Sequence, residues 1–258
     1  MEFDSLLSRV ENRTNYIIDI GASGGSSTDP VYSYITNNSY KGLCIEAVDD
    51  RVQHLKQVVA SSFDIYSGYC TPQNVLGLFQ QYNVPSSPDI LKIDIDSYDL
   101  AVLRSILTLY KPKIIIAEIN EKIPPPVQFE VLFKENYIWD ESHFYGFSIA
   151  SGEKVMNQYG YKILKIVDLC NILCVDKEIC ESLGLSLENN VKNLYQKEYT
   201  FHFTRLSILP WNENVNYWQS IESVETLRME IQNYFETKND RSKFSIKTKR
   251  KDVDFLLH

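Results

Sequence analysis

Short apolar runs recur along the first two thirds of the chain, and most are followed by a stretch of helical spacing. Residues 16–20 (YIIDI), 42–47 (GLCIEA), 63–70 (FDIYSGYC), 89–95 (DILKIDI) and 114–116 (III) read as strands. Between them, Val52, Leu55, Val58 and Val59 mark one amphipathic helix, and Leu100, Leu103, Ile106, Leu107 and Tyr110 mark another. Phe3, Leu6, Leu7 and Val10 predict a lead-in helix. Asp29-Pro30 reads as a helix N-cap and first turn, as does Thr71-Pro72. Strand–helix alternation of this kind predicts a parallel sheet covered on both faces. Val155 and Tyr159 suggest a further helix, and residues 161–175 predict a hairpin-like pair of strands. Beyond about residue 176 the pattern changes. Ile221, Val224, Leu227, Ile231 and Phe235 then form one stripe of a long helix, which either docks on the core or serves a homo-oligomer contact. The expected division is a catalytic-type α/β unit at 1–180 and an extension at 181–258.

The polar residues that interrupt this pattern fall at strand ends, where open α/β sheets bind ligands. The first strand carries Asp19 and runs into a turn of small residues, in which Gly21 and Gly24 allow close approach of a ligand to the backbone. The second ends in Glu46, placed about 20 residues beyond the glycine turn, as suits a carboxylate that accepts ribose hydroxyls. A solvated strand-end acid is the alternative. Tyr69, Cys70 and Thr71 follow the third strand, where a base or ring would lie. Asp94 and Asp96 follow the fourth, and Glu118 and Asn120 the fifth. Such oxygen ligands suit a hard cation, a general base, or both. The aromatic-rich residues 133–148, with His143 among them, read as a lid or substrate loop.

Composition narrows the partners. With 26 Lys and Arg against 34 Asp and Glu, the net charge of −8 argues against a grip on nucleic-acid backbone. The basic run KTKRK at 247–251 reads as a solvated tail. Five scattered cysteines without framework spacing suggest reduced thiols in a cytoplasmic setting. No run approaches a membrane span.

Taken together, DIGASGG, the strand ending in Glu46, LKIDIDSYDLAVL, IIIAEIN, and the stretch from HFYGFS to NILCV resemble FkbM-like class I S-adenosylmethionine-dependent methyltransferases. The resemblance covers residues 15–176. It implies a Rossmann-like methyltransferase sheet of seven strands, the last antiparallel, with helices on both faces and a C-terminal helical extension. It also implies that Asp19, Gly21, Ser23 and Gly24 line the methionine part of the cofactor, with Asp94 beside them. Glu46 would hold the ribose, and Tyr69, Cys70 and Thr71 would lie near the adenine. Ser23 stands where one glycine of the usual motif is expected. The strand-end acids look similar to those of magnesium-dependent O-methyltransferases. On that likeness Asp94, Asp96, Glu118 and Asn120 would hold Mg²⁺ or Mn²⁺, with His143 or a spare carboxylate of Asp94 and Asp96 as the base. Without a metal, the two aspartates would cap the following helix and position the substrate. The implied reaction is methylation of a hydroxyl on a sugar or glycan. A nicotinamide-dependent oxidoreductase, or a binding scaffold on the same fold, is the competing expectation.

Overall fold

A computed structural model describes residues 3–135, 137, 139, 145–185, 190–205, 215–218, 220–237 and 253–256. Five parallel strands form the body of the sheet: β1 (Tyr16–Ile20), β2 (Lys41–Glu46), β3 (Phe63–Ser67), β4 (Ile90–Ile93) and β5 (Ile114–Glu118). A short strand, β6 (Gln128–Val131), stands outside it and pairs with β9 (Val253–Leu256). The hairpin of β7 (Tyr161–Val167) and β8 (Asn171–Asp176) completes the main sheet, in the order β3-β2-β1-β4-β5-β8-β7. Strand β8 enters beside β5 and runs antiparallel to it. This is the Rossmann-like methyltransferase sheet expected from the sequence, with seven strands.

The core explains the apolar runs. Along β1, Ile18 and Ile20 pack into one layer while Ile17 joins the other, because successive side chains of a strand alternate between faces. Both layers are covered, so the central strands carry apolar residues on both sides. Helix α3 (Asp49–Val58) buries Val52 and Leu55, and α5 (Asp99–Leu107) buries Leu100, Leu103, Ile106 and Leu107. The helix expected from Asp29-Pro30 is reduced to the single turn of α2 (Tyr32–Ile35). Its start is delayed because Asp29 bonds the Val31 backbone N–H at 2.8 Å and gives its other oxygen to a lysine. Thr71 likewise closes a turn, its hydroxyl accepting from the Asn74 N–H at 3.2 Å, before α4 (Val75–Gln81) begins.

Helix α6 (Ile149–Gln158) is capped by Ser148, whose hydroxyl accepts from the Ser151 N–H. After β8 come α7 (Lys177–Ser182), α8 (Val191–Tyr195) and a π-helical turn (Gln196–Thr200). Two further helices follow, α9 (Val215–Trp218) and α10 (Val224–Thr237). Leu194, Tyr195, Tyr199, Trp218, Leu227 and Ile231 are buried in the same apolar cluster as the faces of β4 and β5. The basic run at 247–251 lies outside the described residues.

Gly77 lies exposed in the interior of α4, and a Cβ there would meet nothing within 4 Å. Gly77→Ala therefore raises stability by roughly 0.5–1 kcal/mol through lower unfolded-state entropy, seen as an upward shift in thermal midpoint of about 2–3 °C.

Candidate active site

A cleft of about 890 Å³ opens at the C-terminal ends of β1, β2 and β4, within the roughly 300–1,000 Å³ typical of ligand sites. The glycine turn forms its floor. Gly21 takes φ +78°, and the N–H groups of Gly21 and Ala22 donate to the Ile45 carbonyl across the neighbouring strand. Ser23 lines the cleft with φ +51°, in the left-handed region where a glycine would have been unstrained. Glu46 lines it too. One of its oxygens accepts from the Val48 N–H at 2.8 Å, which fixes the carboxylate's direction. Tyr69 and Cys70 form part of the wall, and burial pushes the Cys70 thiol far up, so it serves as apolar surface.

Three of the expected cofactor residues sit elsewhere. Thr71 spends its hydroxyl on the turn before α4 and is not among the lining residues. The Gly24 carbonyl is hydrogen-bonded to His54 Nδ1, and Gly24 does not line the cleft. Asp19 is fully buried behind the floor. Burial pushes its carboxyl up to about 7, although the adjacent Lys92 draws it down.

Lys92 is the residue that the sequence reading passed over. It sits in β4 directly beside Asp19 of β1 and is 1% exposed. Its ammonium stands 3.0 Å from Asp29, 3.4 Å from Asp19 and 3.6 Å from Asp94, and donates to the Gly21 carbonyl at 2.9 Å. Burial alone would lower its pKa. The carboxylates of Asp19, Asp94 and Asp29 outweigh that, so it stays charged well above the usual lysine value. One buried cation thus ties the glycine turn, the loop after it and the end of β4 together. Its signal was the single charge inside an apolar strand, matched by a single opposite charge inside the neighbouring one.

The acids after β4 and β5 converge. Oxygens of Asp94, Asp96 and Glu118 lie within 4.8 Å of one another. Asp96 takes φ +55°, a left-handed conformation that aspartate tolerates better than most residues. Burial, reinforced by Asp94, pushes its carboxyl up to about 6. Burial and the charges of Asp94 and Asp96 hold Glu118 well above the usual carboxylate range. Asp99 fixes the loop from below, accepting from the N–H groups of Ile95 at 2.8 Å and Ser97 at 2.9 Å. Asn120 is turned to other work. Its amide donates to the Tyr145 carbonyl at 3.1 Å and its backbone N–H to the Phe147 carbonyl, and it does not line the cleft. Of the aromatic-rich residues 133–148, Tyr137 and Trp139 line the cleft, and Tyr137 leans on Tyr98 at 6.1 Å. His143 lies outside the described residues.

No family model and no curated protein matches the sequence. Solved structures with a similar chain trace include methyltransferases. The METTL16 MTase domain is 12% identical, over 67% of this chain and 64% of that one, with a TM-score of 0.43. This chain thus spans less than two thirds of that domain. A TehB-like SAM-dependent methyltransferase from Corynebacterium glutamicum is 11% identical over 67% and 85%, with a TM-score of 0.39. The N-terminal domain of EvdMO1, solved in the presence of SAH and D-fucose, is 11% identical over 67% and 79%, with a TM-score of 0.42. The chemistry of this cleft rests on its own residues. Among the described residues, no helix is long and apolar enough to cross a membrane.

Proposed function

We propose that the chain is an FkbM-like, S-adenosylmethionine-dependent O-methyltransferase acting on a hydroxyl of a sugar or glycan, with a divalent cation at the strand-end acids. The observation that carries this reading is the joining of two features in one cleft. A glycine turn with an oriented ribose-type acid, Glu46, opens directly onto the Asp94–Asp96 pair. The methylated cofactor supplies an electrophilic methyl group on a positively charged sulfur. In this reading Gly21 and Ser23 cradle its amino-acid part, Glu46 accepts from its ribose hydroxyls, and Tyr69 and Cys70 flank its base.

The donor set fits a hard cation. Oxygens on opposite sides of such an ion stand about 4–5 Å apart, comparable with the spread of Asp94, Asp96 and Glu118. Glu118 Oε2 is buried without a hydrogen-bond partner among the described residues. Mg²⁺ or Mn²⁺ held there would acidify and orient an acceptor hydroxyl. The proton then passes to His143 or to whichever of Asp94 and Asp96 the cation does not engage. Tyr137 and Trp139 offer an apolar wall to a sugar ring.

Calorimetric titration of S-adenosylhomocysteine, with and without Mg²⁺ or Mn²⁺, tests the reading. Binding is expected in both conditions. Glu46→Gln keeps the Val48 contact but loses a charged acceptor, so affinity drops roughly ten- to a hundredfold. No binding by the parent chain under either condition would end the methyltransferase reading.

A further inference from the structure

We infer that Asn171 is a ligand residue of the strand-end cation site, its side-chain carbonyl supplying the neutral oxygen that the sequence had assigned to Asn120. The inference rests on the cation reading above and extends it to a residue on a different strand. In the sheet register, Ile93 pairs with Ala117, Ala117 with Ile172, and Glu118 with Asn171. The next positions across the sheet are therefore Asp94, Glu118 and Asn171, one row at the ends of β4, β5 and β8. All three continue the face that carries Ile90, Ile116 and Leu173. Directly opposed residues of an antiparallel pair hold their Cβ atoms about 4.5–5.5 Å apart, so the amide of Asn171 stands within reach of whatever Glu118 holds.

The amide is oriented as well as placed. Asn171 is 5% exposed and lines the cleft together with Asp94 and Asp96. Its Nδ2 donates to Cys170 Sγ at 3.5 Å, which leaves Oδ1 as the open end. That oxygen is buried and has no hydrogen-bond partner among the described residues, the same condition as Glu118 Oε2 beside it. Asp94 is answered by Lys92 at 3.6 Å; Glu118 Oε2 and Asn171 Oδ1 are not. Two buried acceptors on directly paired residues, neither with a hydrogen-bond partner among the described residues and one of them, Asn171, lining the cleft, call for a cation or a donor brought by a ligand. The neighbouring carboxylates favour the cation, and an amide oxygen is a hard ligand that adds no further negative charge to a site already rich in it.

The test uses Mn²⁺ alone as the probe on the full chain, with binding followed by electron paramagnetic resonance of the free ion and folding checked by thermal melts. The parent chain is expected to bind Mn²⁺. Asn171→Ala is expected to weaken that binding at least about tenfold while keeping its melt. Asn171→Asp returns an oxygen ligand and is expected to restore or tighten it. Parent-like binding in Asn171→Ala would overturn the role of Asn171 and leave the cation reading standing. Equal loss in Asn171→Ala and Asn171→Asp would also overturn it, since a ligand role predicts rescue. No Mn²⁺ binding by the parent would bring down the cation reading and this inference together, while S-adenosylhomocysteine binding would still stand as a separate result.

Discussion

Replacing Lys92 with methionine is expected to lower stability at neutral pH by about 3–5 kcal/mol, the usual loss when one partner of a buried charge cluster is removed. Methionine fills much of the same volume, so the loss is electrostatic rather than a cavity effect. Asp19, Asp29 and Asp94 would keep their positions around the missing ammonium, at 3.4, 3.0 and 3.6 Å in the parent. Without it the native pKa of Asp19, already about 7 in the parent, rises further above the roughly 3.9 of an unfolded aspartate. A carboxyl whose native pKa is raised binds more protons folded than unfolded between those two values. Stability therefore falls as pH climbs through that window, and the penalty is absent below about pH 4. Parent and variant share that fall up to about pH 7, where Asp19 of the parent ionises, so the share of Asp19 in the deficit of the variant grows above about pH 7. The deficit of Lys92→Met measured by urea denaturation should thus be clearly smaller at about pH 6 than at about pH 8.5. An equal deficit at both would mean that Lys92 acts by packing alone. The same variant should also lose S-adenosylhomocysteine binding, because the ammonium holds the Gly21 carbonyl at 2.9 Å as well as the end of β4.

Lys92 also shows how far the site could be read without coordinates. The strands of the main sheet were legible because their apolar runs are interrupted by little more than single polar residues such as Asp19 and Lys92. Gly21, Ser23, Glu46, Tyr69, Cys70, Asp94 and Asp96 line the cleft because each lies in or just after a strand end, a position that the apolar pattern marks. What failed depended on partners far away in sequence. Asp29 looked like a helix cap because Asp-Pro is a good helix start, but a buried lysine 63 positions later claims its carboxylate. Thr71 carries two expectations, a helix cap and a place near the base, and its hydroxyl goes to the local turn, accepting from the Asn74 N–H. The sequence reading offers Asn120, just past a strand end, as the amide ligand and gives Asn171, at the start of a strand, no role. Only the register of β5 against β8, and the fold of residues 145–147 over Asn120, separate the amide that carries a loop from the one that faces the cleft.

Gly21→Ala is the harsher test of the cofactor cradle. A Cβ at Gly21 would stand 1.7 Å from the Asp94 carbonyl oxygen and 2.7 Å from its carbon. These are backbone atoms of β4's end, not the tip of a side chain that can swing away, so relief needs a shift of about 1.5 Å or more. Position 21 also holds φ +78°, where a non-glycine residue is strained. The left-handed conformation and the forced repacking together cost about 2–5 kcal/mol, a fall of roughly 5–15 °C in thermal midpoint for a chain of this size. Whichever side yields, the damage falls on the cleft, since Gly21 and Asp94 both line it. S-adenosylhomocysteine affinity is expected to fall at least about a hundredfold, because a misplacement of this size at a binding loop removes several contacts at once. Gly24→Ala supplies the contrast. Its Cβ would meet His54 Nδ1 at 3.0 Å, on a side chain that can turn aside. That variant should bind within a few-fold of the parent. Parent-like affinity in Gly21→Ala, in protein that still melts cooperatively, would mean that the turn after β1 is a structural corner and that the cofactor, if any, lies elsewhere.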